Sequence, residues 1–372
     1  MKVLITGGAG FIGTALARRL ANEDHDVHII DNLSPQIHGD LPRVTGLESV
    51  RFQRCDVQDL MHSHELVEGC DAIFHLAAET GTAQSMYQIQ HYVSVNDLGT
   101  ASLLEAIAKC ERRPKRVILA SSRSVYGEGA YVHPDMPTIL IQPTSRTREQ
   151  LLNGDWDFKD NNGQCLKAIP TPETLLFAPG SIYAATKASQ ELLLQSAGHA
   201  LGFAPIILRF QNVYGEGQSL MNPYTGIISI FFNRARQGLE IPIYEDGLES
   251  RDFIHIDDVV DGLVTSMTAD VPYGATINLG AGTPVSVVEL AKQLIASSGH
   301  DVPVRITGQF RLGDIRHCYA DLSIAQELLG FIPRISLADG LTRFCNWASG
   351  QPVHEDGLEK AALELRTRNL MA

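Results

Sequence analysis

The sequence predicts a doubly wound α/β fold, and three observations lead there. Seven short apolar, β-branched runs recur along the chain: Lys2–Thr6, Val27–Ile30, Val50–Gln53, Ala72–His75, Arg116–Ser121, Ile206–Arg209 and Thr276–Leu279. Stretches of helical periodicity lie between several of them, at Phe11–Asn22, Leu98–Lys109 and Ser181–Leu201. The runs are apolar throughout rather than alternating, as strands are when both faces of a parallel sheet are covered.

Composition narrows the classes. The 372 residues are 44% hydrophobic and 20% charged, which suits one large domain or two smaller ones. Thirty Lys and Arg stand against 43 Asp and Glu, a net charge of -13. That balance argues against a nucleic-acid partner and against a basic membrane-surface protein. Val3–Ile5 is stopped at once by Gly7, and the best internal apolar run is only Ile227–Phe232, so neither a signal peptide nor a membrane span is expected. Cys55, Cys70, Cys110, Cys165, Cys318 and Cys345 show no CxxC spacing. Neither a disulfide framework nor a local zinc site is expected, no metal is assigned, and the cytoplasm is the expected location.

The first strand runs into Gly7-Gly8-Ala9-Gly10-Phe11-Ile12-Gly13 and then a helix. Gly7, Gly10 and Gly13 give GxxGxxG spacing: a tight turn, close approach of backbone N–H groups to a pyrophosphate, and a helix N-terminus aimed at its charge. Phe11 and Ile12 supply first-turn amides. Asp31, followed by Asn32, ends the second strand 18 residues after Gly13, placed to accept hydrogen bonds from an adenosine ribose. Its charge would repel a 2′-phosphate, which favours NAD over NADP. Asp56 and Val57 after the third strand are expected beside the adenine. Leu76, Ala77 and Ala78 end the fourth, where small side chains let the chain run close to the cofactor. His75 reads better as a packed core histidine than as a catalyst.

Ser181 to Lys187 contains Tyr-x-x-x-Lys near a helix start, so Tyr183 and Lys187 share one helical face. The fifth strand ends in Ser121-Ser122-Arg123-Ser124-Val125-Tyr126-Gly127, with hydroxyls at the carboxyl edge where open α/β sheets bind ligands. The strand–helix rhythm assigns residues 1–212 and 255–280 to a Rossmann domain. Residues 213–254 and 281–372 form a smaller mixed α/β lobe with a C-terminal tail. Residues 130–178, with Pro134, Pro137, Pro143, Pro170, Pro172 and the polar run Lys159–Gly163, read as an insertion.

Taken together, these motifs resemble the extended short-chain dehydrogenase/reductase superfamily, in its nucleotide-sugar epimerase/dehydratase branch typified by UDP-galactose 4-epimerase. The resemblance runs from Met1 to about residue 346 and extends to Asn96 with Gly99-Thr100, Arg209–Gly215, Arg251–Asp258 and Arg311–Asp314. It implies NAD as cofactor, with Asn96 at the cofactor, Tyr183 as acid/base and Lys187 on the nicotinamide ribose. Ser122 would hydrogen-bond the reacting sugar hydroxyl. Asn212, Arg251, Arg311 and Asp314 would hold a nucleotide diphosphate. Asp257 and Asp258 are read as helix-start residues. The ammonium of Lys187 is expected to lower the Tyr183 pKa, helping the phenol act as a base.

Dehydratases of the branch carry Asp-Glu after the position of Ser122. Here Arg123 and Ser124 stand there, which disfavours dehydration. The long gap between Tyr126 and Tyr183, and Gly313-Asp314-Ile315-Arg316-His317, are closer to the dTDP-L-rhamnose 4-epimerase-like members. The resemblance therefore implies 4-epimerisation through a transient 4-keto sugar, on a dTDP-deoxyhexose or UDP-hexose. Alternatives are a decarboxylase, dehydratase or 4-keto reductase of the same branch, and a non-catalytic NAD-binding regulator. It further implies a homodimer pairing Leu98–Lys109 and Ser181–Leu201, through Leu103, Leu104, Ile107 and Leu192, Leu193, Leu194.

Overall fold

The structure is a computed structural model and describes residues 1–39, 46–222, 224 and 226–372. Seven strands, β1 Lys2–Thr6, β2 Asp26–Asp31, β3 Arg51–Arg54, β4 Ala72–His75, β5 Arg116–Ser122, β6 Ala204–Phe210 and β7 Thr276–Leu279, form one sheet. All neighbours are parallel, in the order 3-2-1-4-5-6-7. These are the seven expected runs, with ends displaced by at most two residues. The order reverses between β1 and β4, and the crevice above their carboxyl ends is where such sheets take ligands.

Helices cover both faces. Because successive strand residues point to opposite sides, Ile5 joins a core with Leu16 and Leu20 of α1 (Phe11–Asn22). Its neighbour Leu4 joins another with Leu103 and Ile107 of α2 (Gly99–Lys109) and Leu194 of α3 (Ile182–Leu201). A fourth helix, α4 (Ile256–Thr268), buries Val259 and Leu263 beside α1. Asp257 and Asp258 do stand in its first turn, and Asp258 accepts the N–H groups of Arg334 and Ile335.

A third apolar cluster, including Phe231, Phe232, Ile241, Phe253, Leu290 and Phe344, lies in the smaller lobe. The C-terminal stretch is not confined to that lobe: Ala325, Leu329 and Phe331 are buried in the core beside α1 and α4. Within residues 130–178, strands Met136–Ile141, Ala130–His133 and Lys167–Ile169 make a small antiparallel sheet. Buried charges fasten this segment to the lobe. Arg146 donates to Glu245 at 2.7 Å and to the Asp314 carbonyl at 2.8 Å. Arg316, 1% exposed, donates to Asp157, Glu245 and Asp246.

Candidate active site

A cavity of about 920 Å³ opens above the carboxyl ends of β1, β4 and β5 and runs into the smaller lobe. At its sheet end the wall is the glycine turn. Gly7 has φ +67°, and a Cβ there would sit 2.7 Å from the Ala77 nitrogen; one on Gly13 would sit 2.4 Å from the Gly7 carbonyl oxygen. Any side chain would force the turn away from β4 or from α1. Gly10 caps α1 without a side chain, and no acid occupies the first turn. The amides of Phe11, Ile12 and Gly13 therefore have no intrahelical acceptor and border the cavity, which is the arrangement an anionic pyrophosphate needs.

Other expected cofactor residues divide. Leu76 and Ala78 line the cavity, whereas Ala77 lies behind it, its N–H on Thr6 Oγ1 at 3.2 Å. Asp31 lies beneath the turn: its carboxylate accepts from Ala9 N at 3.1 Å and Leu33 N at 2.8 Å. Asn32 donates to Asp56, and Asp56 caps the following turn by accepting from Gln58 N. Val57 is buried against Gly99. Asn96 is fully buried, bonded to both backbone groups of Glu79 and to Thr186 Oγ1. These five shape the strand ends and loops beside the cavity. His75 is packed as expected, between Thr6 and Thr100, and burial drives its pKa down to about 3.

Ser122, Tyr183 and Lys187 all face the cavity. Ser181 caps α3 by accepting from Ala184 N, which fixes the helix start two residues before Tyr183. One expectation is corrected here. Burial holds the Tyr183 phenol above its ordinary range, and the groups that pull it down are the Ser122 hydroxyl and the charge of Arg123. Lys187 is not among them. Its ammonium donates to the Ala120 carbonyl at 2.9 Å, and burial lowers its own pKa to about 7 against the pull of Glu191 and Asp97. Sequence spacing placed phenol and ammonium on one face but could not show where the ammonium points.

At the lobe end stand Asn212, Arg251, Arg311 and Asp314, all on the wall. Arg311 pairs with Asp314 at 2.8 Å and stacks on Tyr244. Burial lowers its pKa, but Asp314, Tyr244 and Glu249 together outweigh that and leave it raised. Among the described residues Arg251 donates only to the backbone carbonyls of Ser250 and Arg316. Burial and the nearby charge of Arg123 lower its pKa. Glu249, also on the wall, has its carboxyl pushed up to about 7 by burial, against the charge of Arg251. Arg123 and Glu249 join the site beyond the sequence expectation; the Ser122-Arg123 step after β5 is the one signal in the sequence.

A model of the NAD dependent epimerase/dehydratase family matches residues 3–150 and 162–280. The chain belongs to that family. A dTDP-L-rhamnose 4-epimerase of Burkholderia thailandensis is 39% identical over 349 residues, covering 93% of this chain and 94% of the relative. The UDP-glucose 4-epimerase of Thermotoga maritima, solved with UDP-glucose, superposes with a TM-score of 0.75 at 27% identity, covering 94% of this chain and 99% of its own. The UDP-glucuronic acid 4-epimerase of Bacillus cereus, solved with UDP-glucuronic acid and NAD, gives 0.72 at 26%, with coverage of 94% and 99%. The family's cofactor fits the residues present: the open first turn of α1 for the pyrophosphate, with Leu76, Ala78 and Lys187 along the wall beyond it.

Proposed function

We propose that this protein is an NAD-dependent nucleotide-sugar 4-epimerase acting through a transient 4-keto sugar, on a dTDP-deoxyhexose or a UDP-hexose. The observation that carries the reading is one continuous cavity: an amide-lined helix start, then Ser122 and Tyr183, then Arg251 and Arg311. When bound, NAD supplies a reversible two-electron acceptor for the sugar carbon. Tyr183 exchanges the proton of the hydroxyl on that carbon, and Ser122 hydrogen-bonds the same oxygen. Lys187 and Asn96 belong to the cofactor half, Lys187 by direct contact with the nicotinamide ribose and Asn96 by holding the loop at Glu79. Arg251, Arg311 and Asn212 bind the diphosphate, the arginines through charge-assisted hydrogen bonds, with Asp314 orienting Arg311.

Such a division holds the diphosphate more firmly than the sugar, which can turn over between the two transfers. The dTDP-L-rhamnose 4-epimerase relative supports a deoxyhexose, and Arg123-Ser124 after Ser122 supply no acid–base pair for dehydration. Incubation with a panel of nucleotide sugars, read by NMR, tests the reading: a 4-epimer without net NADH supports it, and stoichiometric NADH overturns it.

No helix among the described residues is long and apolar enough to cross a membrane. A cytoplasmic location is part of the proposal, supported by six free cysteines. So is a homodimer through α2 and α3, with a narrower basis than the sequence suggested. Leu103, Leu104, Ile107 and Leu194 are buried in the chain's own core and Leu193 packs against it. Leu192 and Leu98 are exposed and available for such a contact. Light scattering showing a stable monomer at micromolar concentration would remove this part.

A further inference from the structure

Arg123 follows Ser122 on the helical turn Arg123–Tyr126 and lines the same cavity as Tyr183. Its Nε donates to Asn212 Oδ1 at 2.9 Å, which sets the plane of the guanidinium. Its Nη1 is buried and has no hydrogen-bond partner among the described residues. The Asp252 carboxylate, which feels the charge of Arg123, is otherwise engaged, accepting the N–H groups of Ala281, Gly282 and Ala320 at 2.7–3.1 Å. Arg311 makes the contrast, since Asp314 neutralises it. On the same wall Gln211 also buries both polar atoms of its side chain without a partner among the described residues. A buried donor left unmet is costly, and native structures keep such groups where a ligand completes them.

The position of the guanidinium says which part of a ligand that is. Arg123, Tyr183 and Arg251 line one cavity, and the charge of Arg123 reaches both of the others. A nucleotide sugar with its diphosphate at Arg251 and its reacting carbon at Tyr183 passes across it. Arginine has five donors, no acceptor and no accessible neutral form, so Arg123 can take no part in proton transfer. What it meets must be an acceptor oxygen.

We propose that Arg123 is a specificity-determining residue that donates from Nη1 to an oxygen of the substrate's sugar, beside the carbon that meets Tyr183 and Ser122. This rests on the nucleotide-sugar reading above. The acceptor is a hydroxyl or a sugar carboxylate, and the choice between them sets which nucleotide sugars the enzyme accepts.

Calorimetric titration of the NAD-loaded protein and of Arg123→Gln and Arg123→Lys tests it, using dTDP and UDP alone and then their hexose, 6-deoxyhexose and hexuronate conjugates. Unchanged thermal unfolding and NAD affinity serve as the control for folding, and Arg123→Lys carries the test if the Gln variant fails it. The expected result is nucleoside diphosphate affinity within about twofold of the parent and a roughly tenfold to hundredfold loss for the sugar conjugates. A loss confined to the hexuronate identifies a carboxylate, and a loss shared by all identifies a hydroxyl. An equal loss for the free nucleoside diphosphates would make Arg123 a diphosphate anchor and overturn the proposal. Unchanged sugar affinity would overturn it too. A parent protein that binds neither nucleoside diphosphates nor their sugars removes the nucleotide-sugar reading itself, and Arg123's role with it.

Discussion

The two ends of the cavity are built from different materials. At the sheet end the wall is mostly backbone: glycines packed so closely that a methyl group would collide with the chain, and helix amides that need no side chain to carry partial charge. At the lobe end it is made of long charged side chains from distant segments, Arg123, Arg251, Arg311, Asp314 and Glu249. A backbone wall is set by local chain geometry and suits a ligand that never changes. A wall of side chains can be rewritten one residue at a time, which suits a substrate that differs between relatives. Between them stand Ser122 and Tyr183, which serve both.

That division can be broken or sharpened by measurement. The largest effect is expected at the junction: Tyr183→Phe should keep fold and NAD binding but lose about 10²–10⁴ in kcat, the usual size of general acid–base catalysis. Near-normal turnover would remove Tyr183 from the mechanism. At the lobe end, Arg311→Ala should weaken nucleoside diphosphate binding toward a hundredfold, because it removes a cation and strands the Asp314 carboxylate beside the ligand. Arg251→Ala breaks no salt bridge among the described residues and should cost nearer tenfold; calorimetry that reverses this order would show that Asp314 does not face the diphosphate.

At the sheet end, Gly13→Ala should destabilise the fold by about 1–3 kcal/mol through overpacking and weaken NAD in parallel, leaving nucleoside diphosphate affinity intact. Thermal unfolding and NAD titration of that variant would show whether the two ends are separable. The smallest effect concerns pH. Glu249 is raised from 4.5 to about 7, so between those values the folded state holds a proton that the unfolded chain releases. Its contribution to stability falls as pH rises through this window. Above it the new carboxylate competes with the diphosphate for Arg251, so nucleoside diphosphate binding should weaken as pH passes 7. Glu249→Gln should flatten both trends, and an unchanged binding profile would exclude Glu249 as the competitor.

The same division marks what could be read in the sequence. β1 was located to the residue, and the seven sheet strands emerged because each is a short continuous apolar run whose environment is set locally. The glycine turn was legible for the same reason, as was the packing of His75. The segment 130–178 was recognised only as an interruption. What orders it, Arg146 and Arg316 meeting Glu245, is a meeting of side chains far apart in the chain, and no periodicity records it. The dimer-face leucines failed differently: helical spacing identifies an apolar face but not which partner has already covered it, and the sheet covers most of this one. Asp56 and Asn96 hydrogen-bond within the chain, contacts that the sequence does not record.

The buried charges that fasten segment 130–178 to the lobe also constrain how this protein could have diverged. Arg146 and Arg316 meet the one buried carboxylate of Glu245, so replacing Glu245 leaves two buried cations short of a partner, a loss much larger than the pair itself is worth. Single substitutions there are barred while a joint replacement by apolar residues is open. Lineages descended from a common ancestor should therefore hold all three or none, and a homologue that has shed the segment should have lost Glu245 and Arg316 along with it. The trio is thus a character to score in a phylogeny.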